Sequence, residues 1–517
     1  MGRQSGNKSK KWKVVAGIIL AFQALISIIA VGFVVWLNLL PTTYLALIGF
    51  ILVWLWTVVY YFLYSRVKKK KGKKLTAQKK RRKLYTKRSI GCVISAATMV
   101  LCVVASSIMW QAGNAISNIA DNVVVTDMVS VYALADNLAE SVADIKDGVF
   151  AITQNYDFEH TKTTIDKINE NLGQDIKTQN YDTVFDMVDA LYAGNVDAMI
   201  LNTAYVDVIE SQKGYEDFST KTKTLYDHEV QSTVAKDNTD STKNITQDPF
   251  IVYISGSDTR NLKLATSRSD VNLLAVVNPK TKQVLLLNTP RDYYVQTTKS
   301  TTMRDKLTHC GIYGIDCSME TLGMLYDEPV DYYVQINFNG FETLIDSIGG
   351  ITIDSEKSFR AKANGCYIQQ GVSLMNGATA LAYVRERKAF ADGDNARGRH
   401  QMQMIEAIIQ KVSSGTTVLN NYSAILSSME GMFATSMSSS EISDLVKMQL
   451  SDGASWNVKS FAVSGTGSSQ KTYSMPTKRS YVMIPDETQI SYARILVDKV
   501  MDGVILSDED MVKPTVQ

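Results

Sequence analysis

The sequence predicts an α/β protein held in a membrane: three N-terminal transmembrane helices, a small α/β accessory domain, and an α/β/α sandwich built on a mixed sheet. Three observations predict it. Long apolar runs crowd the first 111 residues, charge is divided unevenly along the 517-residue chain, and the remainder alternates strand-like with helix-like segments.

Runs Val14–Leu37, Tyr44–Leu63 and Ile90–Trp110 are each long enough to cross a hydrocarbon core of about 30 Å as helices. Lipid offers no hydrogen bonds, so isolated runs of this kind must satisfy their own backbone, which only a helix does. Residues 38–43 leave room only for a turn, so the first two spans should form a hairpin. Residues 1–88 hold 19 Lys and Arg and no Asp or Glu; 14 of the basic residues lie in the loop 64–89 and five in the tail. The positive-inside rule puts tail and loop in the cytoplasm and the large C-terminal region outside the cell. That region of 429 residues carries 35 basic against 52 acidic residues. The first run has no small-residue cleavage site and is followed by a second span, so it reads as an anchor and not as a removable signal. The basic loop reads as a topology determinant touching anionic lipid, with no nucleic acid expected as a partner.

Four regions follow: 1–111 with the spans, 112–245 as the accessory domain, 246–506 as the catalytic domain, and 507–517 as a tail. In the accessory domain, MVSVYALADNLAESVADI has helical periodicity and GVFAITQ reads as a strand. The stretch from Val184 to Ser211 reads as helix, turn, apolar strand and second helix. No Arg occurs between residues 111 and 259, so this domain reads as an accessory or spacer unit. A polar stretch, 232–249, reads as a linker. Beyond it, strands are expected near 250–255, 271–277, 283–288 and 332–336, with helices at 318–326, 341–348 and 400–413. YVRER (383–387) reads as a strand or its end, and 414–450 as helical with Ser-rich breaks. A closing helix within 483–503 should turn Ile490, Ala493, Ile495 and Val500 inward.

The chemistry lies in charged residues at strand ends. There is no GxxxxGK phosphate loop, no GxSxG elbow and, with four histidines, no zinc spacing. Instead SGSDTR carries Asp258 and Arg260, SRSD carries Arg268 and Asp270, and NTPRD carries Arg291 and Asp292. Further on, YVRER carries Arg385 and Arg387, and RGRHQ carries Arg397, Arg399 and Gln401. Residues two apart on an extended chain face the same side, so Asp258–Arg260, Arg268–Asp270 and Arg385–Arg387 each predict a shared face. Arg397 and Gln401 share a helix side at i, i+4. Guanidinium groups gather where phosphate oxygens are held bidentately, and carboxylates among them suit a divalent cation shared with the phosphates. Of the outer cysteines, a Cys310–Cys317 or Cys317–Cys366 bridge and simple free thiols all remain open, Cys366 included.

In order, GSDTR, SRSD, NTPRDYYV, GIYGID, FETLIDSIGGITID, LMNGATALAYVRER and RGRHQ resemble the LytR-CpsA-Psr family, over roughly 250–490, with CpsA-like capsule members also sharing three spans and an accessory domain. The resemblance implies a phosphotransferase that moves an undecaprenyl-pyrophosphate-linked glycopolymer, capsular polysaccharide in such members, onto peptidoglycan and releases undecaprenyl phosphate. It implies Asp258 and Asp270 as ligands of Mg2+ (or Mn2+), and Asp258, Asp270 and Arg291 as catalytic residues. An ionised Asp beside the metal is a candidate general base, with Asp258 first. Arg260, Arg268, Arg291, Arg385, Arg387 and Gln401 would contact the pyrophosphate. Many members carry a second Arg where this chain has His400, so Arg397 and Arg399 are carried over below the others. Capsule-assembly membrane proteins are expected as partners. A lipid-pyrophosphate hydrolase using the same site, and a non-enzymatic membrane regulator or scaffold, are the alternatives.

Overall fold

The computed structural model describes residues 2–38, 40–65, 76–120, 124–233, 243–257, 264–414, 425 and 428–514. The chain divides into two compact units, residues 1–116 with 439–453, and residues 117–438 with 454–517.

In the first unit, α1 (Gly2–Leu37), α2 (Thr42–Tyr64) and α3 (Ala77–Ala120) contain three stretches long and apolar enough to span a membrane, at Lys11–Leu37, Thr42–Tyr64 and Gln78–Gln111. The expected hairpin is present. Trp12 Nε1 donates to the Leu63 carbonyl and Trp56 Nε1 to that of Leu20, both at 3.2 Å, around buried Ala16, Leu20, Val59 and Leu63. These indoles bond backbone carbonyls of the partner helix, which matters where no water can serve. Trp36 stacks on Trp110 of α3 at 6.0 Å. The third helix begins at Ala77, so the C-terminal part of the basic loop is helical; its alternation of Lys, Arg, Leu and Ala is compatible with strong helix propensity.

Among the described residues, the second unit holds four two-stranded sheets and two large ones. The smaller has the order β3-β2-β4-β1-β5, from β1 (Val124–Leu134), β2 (Val149–Ile152), β3 (Lys177–Asn180), β4 (Ala198–Asn202) and β5 (Thr222–Thr233). β1 runs antiparallel to β4 and β5, while β2 runs parallel to β3 and β4. Helices α4 (Phe158–Leu172), α5 (Val184–Tyr192) and the single turn α6 (Val206–Glu210) complete it. Here the helix expected to open this region is corrected to the strand β1. Val129, Val131 and Ala133 are buried in one core cluster and Tyr132 in another, so both faces of this interior strand are covered and period two is lost. Its β-branched residues were the available signal.

The larger sheet has six strands: β6 (Phe250–Ser257), β7 (Ser269–Asn278), β8 (Gln283–Asn288), β9 (Tyr332–Asn337), β10 (Phe433–Thr435) and β11 (Asn457–Ala462). Their order is β10-β9-β6-β7-β8-β11. β9 is parallel to β6 and β11 to β8; the other pairs are antiparallel, as a mixed sheet requires. Helices α7 (Ile315–Tyr326), α8 (Phe338–Ser347), α9 (Gly377–Arg385), α10 (Asp394–Ser413), α11 (Ser439–Asp452) and α12 (Glu487–Met501) follow the chain order, with α11 grouped in the first unit. One sheet face packs Ile251, Tyr253, Leu274, Val276, Leu285 and Leu287 against α7 and α12. A separate core gathers α8, α9 and α10. α10 also lies close against β8, where a Cβ on Gly398 would collide with the Asn288 amide. The result is the expected α/β/α sandwich.

Three further expectations are corrected. YVRER is not a strand: Asn376 caps α9 by accepting from the Thr379 N–H at 2.9 Å, and the helix runs to Arg385. Ala380, Leu381, Ala382, Tyr383 and Val384 are all buried, so this short helix is covered all round and shows no 3.6 period. Within 414–450, the segment 433–435 is strand β10, and 415–424 lies outside the described residues. On α12, Ile495 is 49% exposed, whereas Leu496 and Val497 join Ile490, Ala493 and Val500 in the core, in phase with the helix repeat.

Candidate active site

A cavity of about 460 Å3 opens between the C-terminal ends of β6 and β9, the start of β7, and helices α8, α9 and α10. The crevice outside the carboxyl ends of the strands is where open α/β sheets bind ligands. One part of its lining is apolar, from Ile254, Leu273, Phe338, Phe341, Leu381 and Met404. The other part is basic: Arg268, Arg291, Arg385, Arg387 and Arg397 all reach it, with Gln401. Three carboxylates, Asp207, Glu210 and Asp270, face these five guanidinium groups, leaving positive charge in excess among the described lining residues.

Asp270, at the second residue of β7, organises the arginines. Arg291 Nη1 donates to its Oδ1 at 2.6 Å, and Arg397 Nη1 stands 3.9 Å from its Oδ2. Burial alone would raise this carboxyl, but Arg291, Arg397 and Arg268 together hold it below the ordinary carboxylate range. Arg291 is raised in turn: burial opposes its charge, and Asp270 and Asp292 outweigh it. Arg397, 9% exposed, pairs with Asp394 at 2.7 Å and sits one helical turn before Gln401, whose Nε2 donates to the Val384 carbonyl at 3.4 Å. The expected i, i+4 face therefore exists and lines the cavity.

Arg385 and Arg387 both reach the cavity, though not from a strand face. Arg385 ends α9 with its guanidinium 4.2 Å from the centre of the Phe338 ring. Arg387 follows on a turn built by Glu386, a residue that sequence reasoning missed. The Glu386 side chain, 3% exposed, accepts from the backbone N–H groups of Lys362, Arg387, Lys388 and Ala389 at 2.7–3.0 Å. Burial would raise this carboxyl, and the four N–H donors lower it instead. Only its place inside the RER triplet signalled it.

Arg399 is corrected out of the site. It points away from the cavity, donating to Glu356 at 3.1 Å and to Asp392, with all three side chains 42–47% exposed. On α10 it is two residues from both Arg397 and Gln401, hence on another helix face. His400 is not an arginine substitute either. It is buried against Tyr383 (4.2 Å), Phe390 (4.8 Å) and Phe359 (6.4 Å), and this apolar burial brings its imidazole down to about 4. Asp258 and Arg260 lie outside the described residues, so their expected face with Arg268 and Asp270 does as well. All five cysteines are free thiols; Cys310 and Cys317 are buried and Cys366 is half-buried.

Residues 208–490 match the model of the LytR_cpsA_psr family, more than half of the chain. A polyisoprenyl-teichoic acid–peptidoglycan teichoic acid transferase TagU of Halalkalibacterium halodurans is 33% identical over 224 residues, 43% of this chain and 71% of the relative. TagU of Bacillus subtilis, with the same descriptive name, is 32% identical over 222 residues, 43% and 70% of the two chains. The crystal structure of B. subtilis TagV is similar at 26% identity, with 50% of this chain and 98% of that chain covered and a TM-score of 0.42. The chain belongs to the LytR-CpsA-Psr family.

Proposed function

We propose that the protein transfers a glycopolymer, carried on a polyprenyl pyrophosphate, to peptidoglycan outside the cell, and that the polymer is a capsular polysaccharide. The observation that carries this reading is the division of one cavity into an apolar part and a part lined by five arginines. A polyprenyl pyrophosphate has the same division, and each of its phosphoryl groups carries a negative charge that the excess of guanidinium groups suits. The relatives named for transfer of polyisoprenyl-linked teichoic acid to peptidoglycan support the reaction class. The basic tail and loop support a cytoplasmic N-terminus, which leaves the cavity on the outer side with its acceptor.

In this reading an acceptor hydroxyl of peptidoglycan attacks the phosphorus nearer the sugar. A new P–O bond forms a phosphodiester, the pyrophosphate P–O–P bond breaks, and polyprenyl phosphate leaves. Negative charge grows on the bridging oxygen and on the non-bridging oxygens, where preorganised guanidinium groups stabilise it best. Asp270 is a poor proton acceptor, since its arginine neighbours keep it ionised; its part is to hold Arg291 and Arg397 in place. Asp258 remains the candidate for the base.

The donor set is compatible with Mg2+ or Mn2+. Asp270 Oδ2 is 3.9 Å from the Arg397 nitrogen and so retains lone-pair capacity, while no group of three His, Cys, Asp or Glu that would enclose a metal occurs among the described residues. Magnesium commonly takes one or two carboxylates and completes its shell with phosphate and water. Asp270, with Asp258, would hold it, and the ion would neutralise pyrophosphate charge when bound.

The purified full chain in lipid nanodiscs, given lipid-linked capsular oligosaccharide and peptidoglycan fragments, should yield a phosphodiester-linked conjugate by mass. A product of free glycan phosphate, equal with and without acceptor, would instead support the hydrolase.

A further inference from the structure

The arginines of the cavity come from the larger sheet and its helices, but one wall does not. Asp207, Glu210 and Ser211 belong to the accessory domain, on α6 and the residue after it, and they line the same cavity. The Asp207 carboxylate lies 3.1 Å from Arg268 Nη2; its side chain is 51% exposed and that of Arg268 17%. The family match starts at residue 208, so Asp207 and strands β1 to β4 precede it, while β5 falls inside it.

The placement of α6 is built, not incidental. Thr126 N–H donates to the Leu264 carbonyl at 2.9 Å, Thr266 N–H to Asp127 Oδ1 at 2.8 Å, and Tyr156 O–H to the Tyr473 carbonyl at 3.2 Å. Ile312 and Met475, from the catalytic side, are buried in the accessory core beside Tyr205, Val208 and Ile209. α6 is thus pinned by its buried residues while Asp207 faces the arginine. The region read as an accessory or spacer unit is docked on the catalytic domain through these contacts.

Accepting the pyrophosphate site proposed above, we propose that Asp207 is a resident counter-ion of Arg268 that the donor's pyrophosphate displaces, so that the accessory domain sets donor affinity. A half-exposed carboxylate gains little from such a pair, because water screens it and its side chain pays ordering entropy. A pyrophosphate held among several guanidinium groups, with its lipid in the apolar part of the cavity, offers the same guanidinium a stronger, multiply charged partner. Displacement therefore runs towards the donor, and the pair subtracts a fixed amount from its affinity.

The test uses the full chain in neutral-lipid nanodiscs, with farnesyl pyrophosphate and inorganic pyrophosphate as probes. Asp207→Asn should tighten both dissociation constants by about two- to five-fold at low salt, and less at high salt. Asp207→Ser, a second neutral variant, should move them the same way. In an Arg268→Gln background, Asp207→Asn should change nothing. Unchanged or weaker binding in both neutral variants would overturn the counter-ion role, as would tightening that persists without Arg268. If the unaltered protein binds neither probe, the pyrophosphate site itself fails; if it binds and Asp207→Asn has no effect, only the counter-ion role fails.

Discussion

Replacing Asp270 by Asn separates holding the donor from aligning it. The carboxylate lies between Arg291 at 2.6 Å and Arg397 at 3.9 Å, so Asp270→Asn removes an anion that both guanidinium groups share. The lost hydrogen bond to a charged partner is of the kind that contributes about 1.5–3 kcal/mol. If that energy serves mainly to place the arginines for the transition state, transfer should fall by roughly 10- to 150-fold. Donor binding measured without divalent cation should not fall with it, because the substitution then leaves the cavity more positive. Initial rates of conjugate formation in nanodiscs, alongside the dissociation constant for farnesyl pyrophosphate, read the two effects apart. The reasoning is refuted if Asp270→Asn transfers at the unaltered rate, or if all of the loss lies in donor affinity.

Other variants test the remaining assignments. Arg399→Ala should leave transfer within about two-fold of the unaltered protein, since its partners are exposed and such pairs contribute about 0–1 kcal/mol; a large loss would return Arg399 to the site. Glu386→Gln turns an amide N–H towards N–H donors and should lower stability by about 1–3 kcal/mol, measured by thermal melting, with reduced transfer through displacement of Arg387. For His400, the folded pKa is depressed to about 4 from 6.5, so the unfolded chain binds more protons in that window. Its stability contribution is complete above pH 6.5 and falls by about 3 kcal/mol as pH drops to 4. His400→Phe, keeping the aromatic packing, should flatten that part of the denaturation profile; an unchanged slope would contradict the assignment.

Much of this site was legible because Asp and Arg at the ends of apolar strands have few structural reasons to be there. Arg268 and Asp270 were found from their two-residue spacing, Arg291 from its place beside a strand end, and Arg397 with Gln401 from the helical repeat. The rest depended on tertiary context. Arg385 and Arg387 line the cavity but from another element than expected, because a helix whose middle residues are all buried has no polar face there to give it period. The same loss of pattern hid strand β1. Arg399 and His400 are neighbours of Arg397 in sequence, yet 100° of rotation per residue sends one to solvent and the other into an aromatic box. Asp207 left no trace in composition, since its relevance comes from one domain being docked on another.

The central claim is most directly tested by following one phosphorus atom. A lipid-linked donor labelled at the phosphate next to the sugar should deliver that label into peptidoglycan as a phosphodiester, with unlabelled polyprenyl phosphate released in equal amount. Label recovered on free glycan, or on released lipid pyrophosphate with unlabelled sugar in the wall, would contradict it.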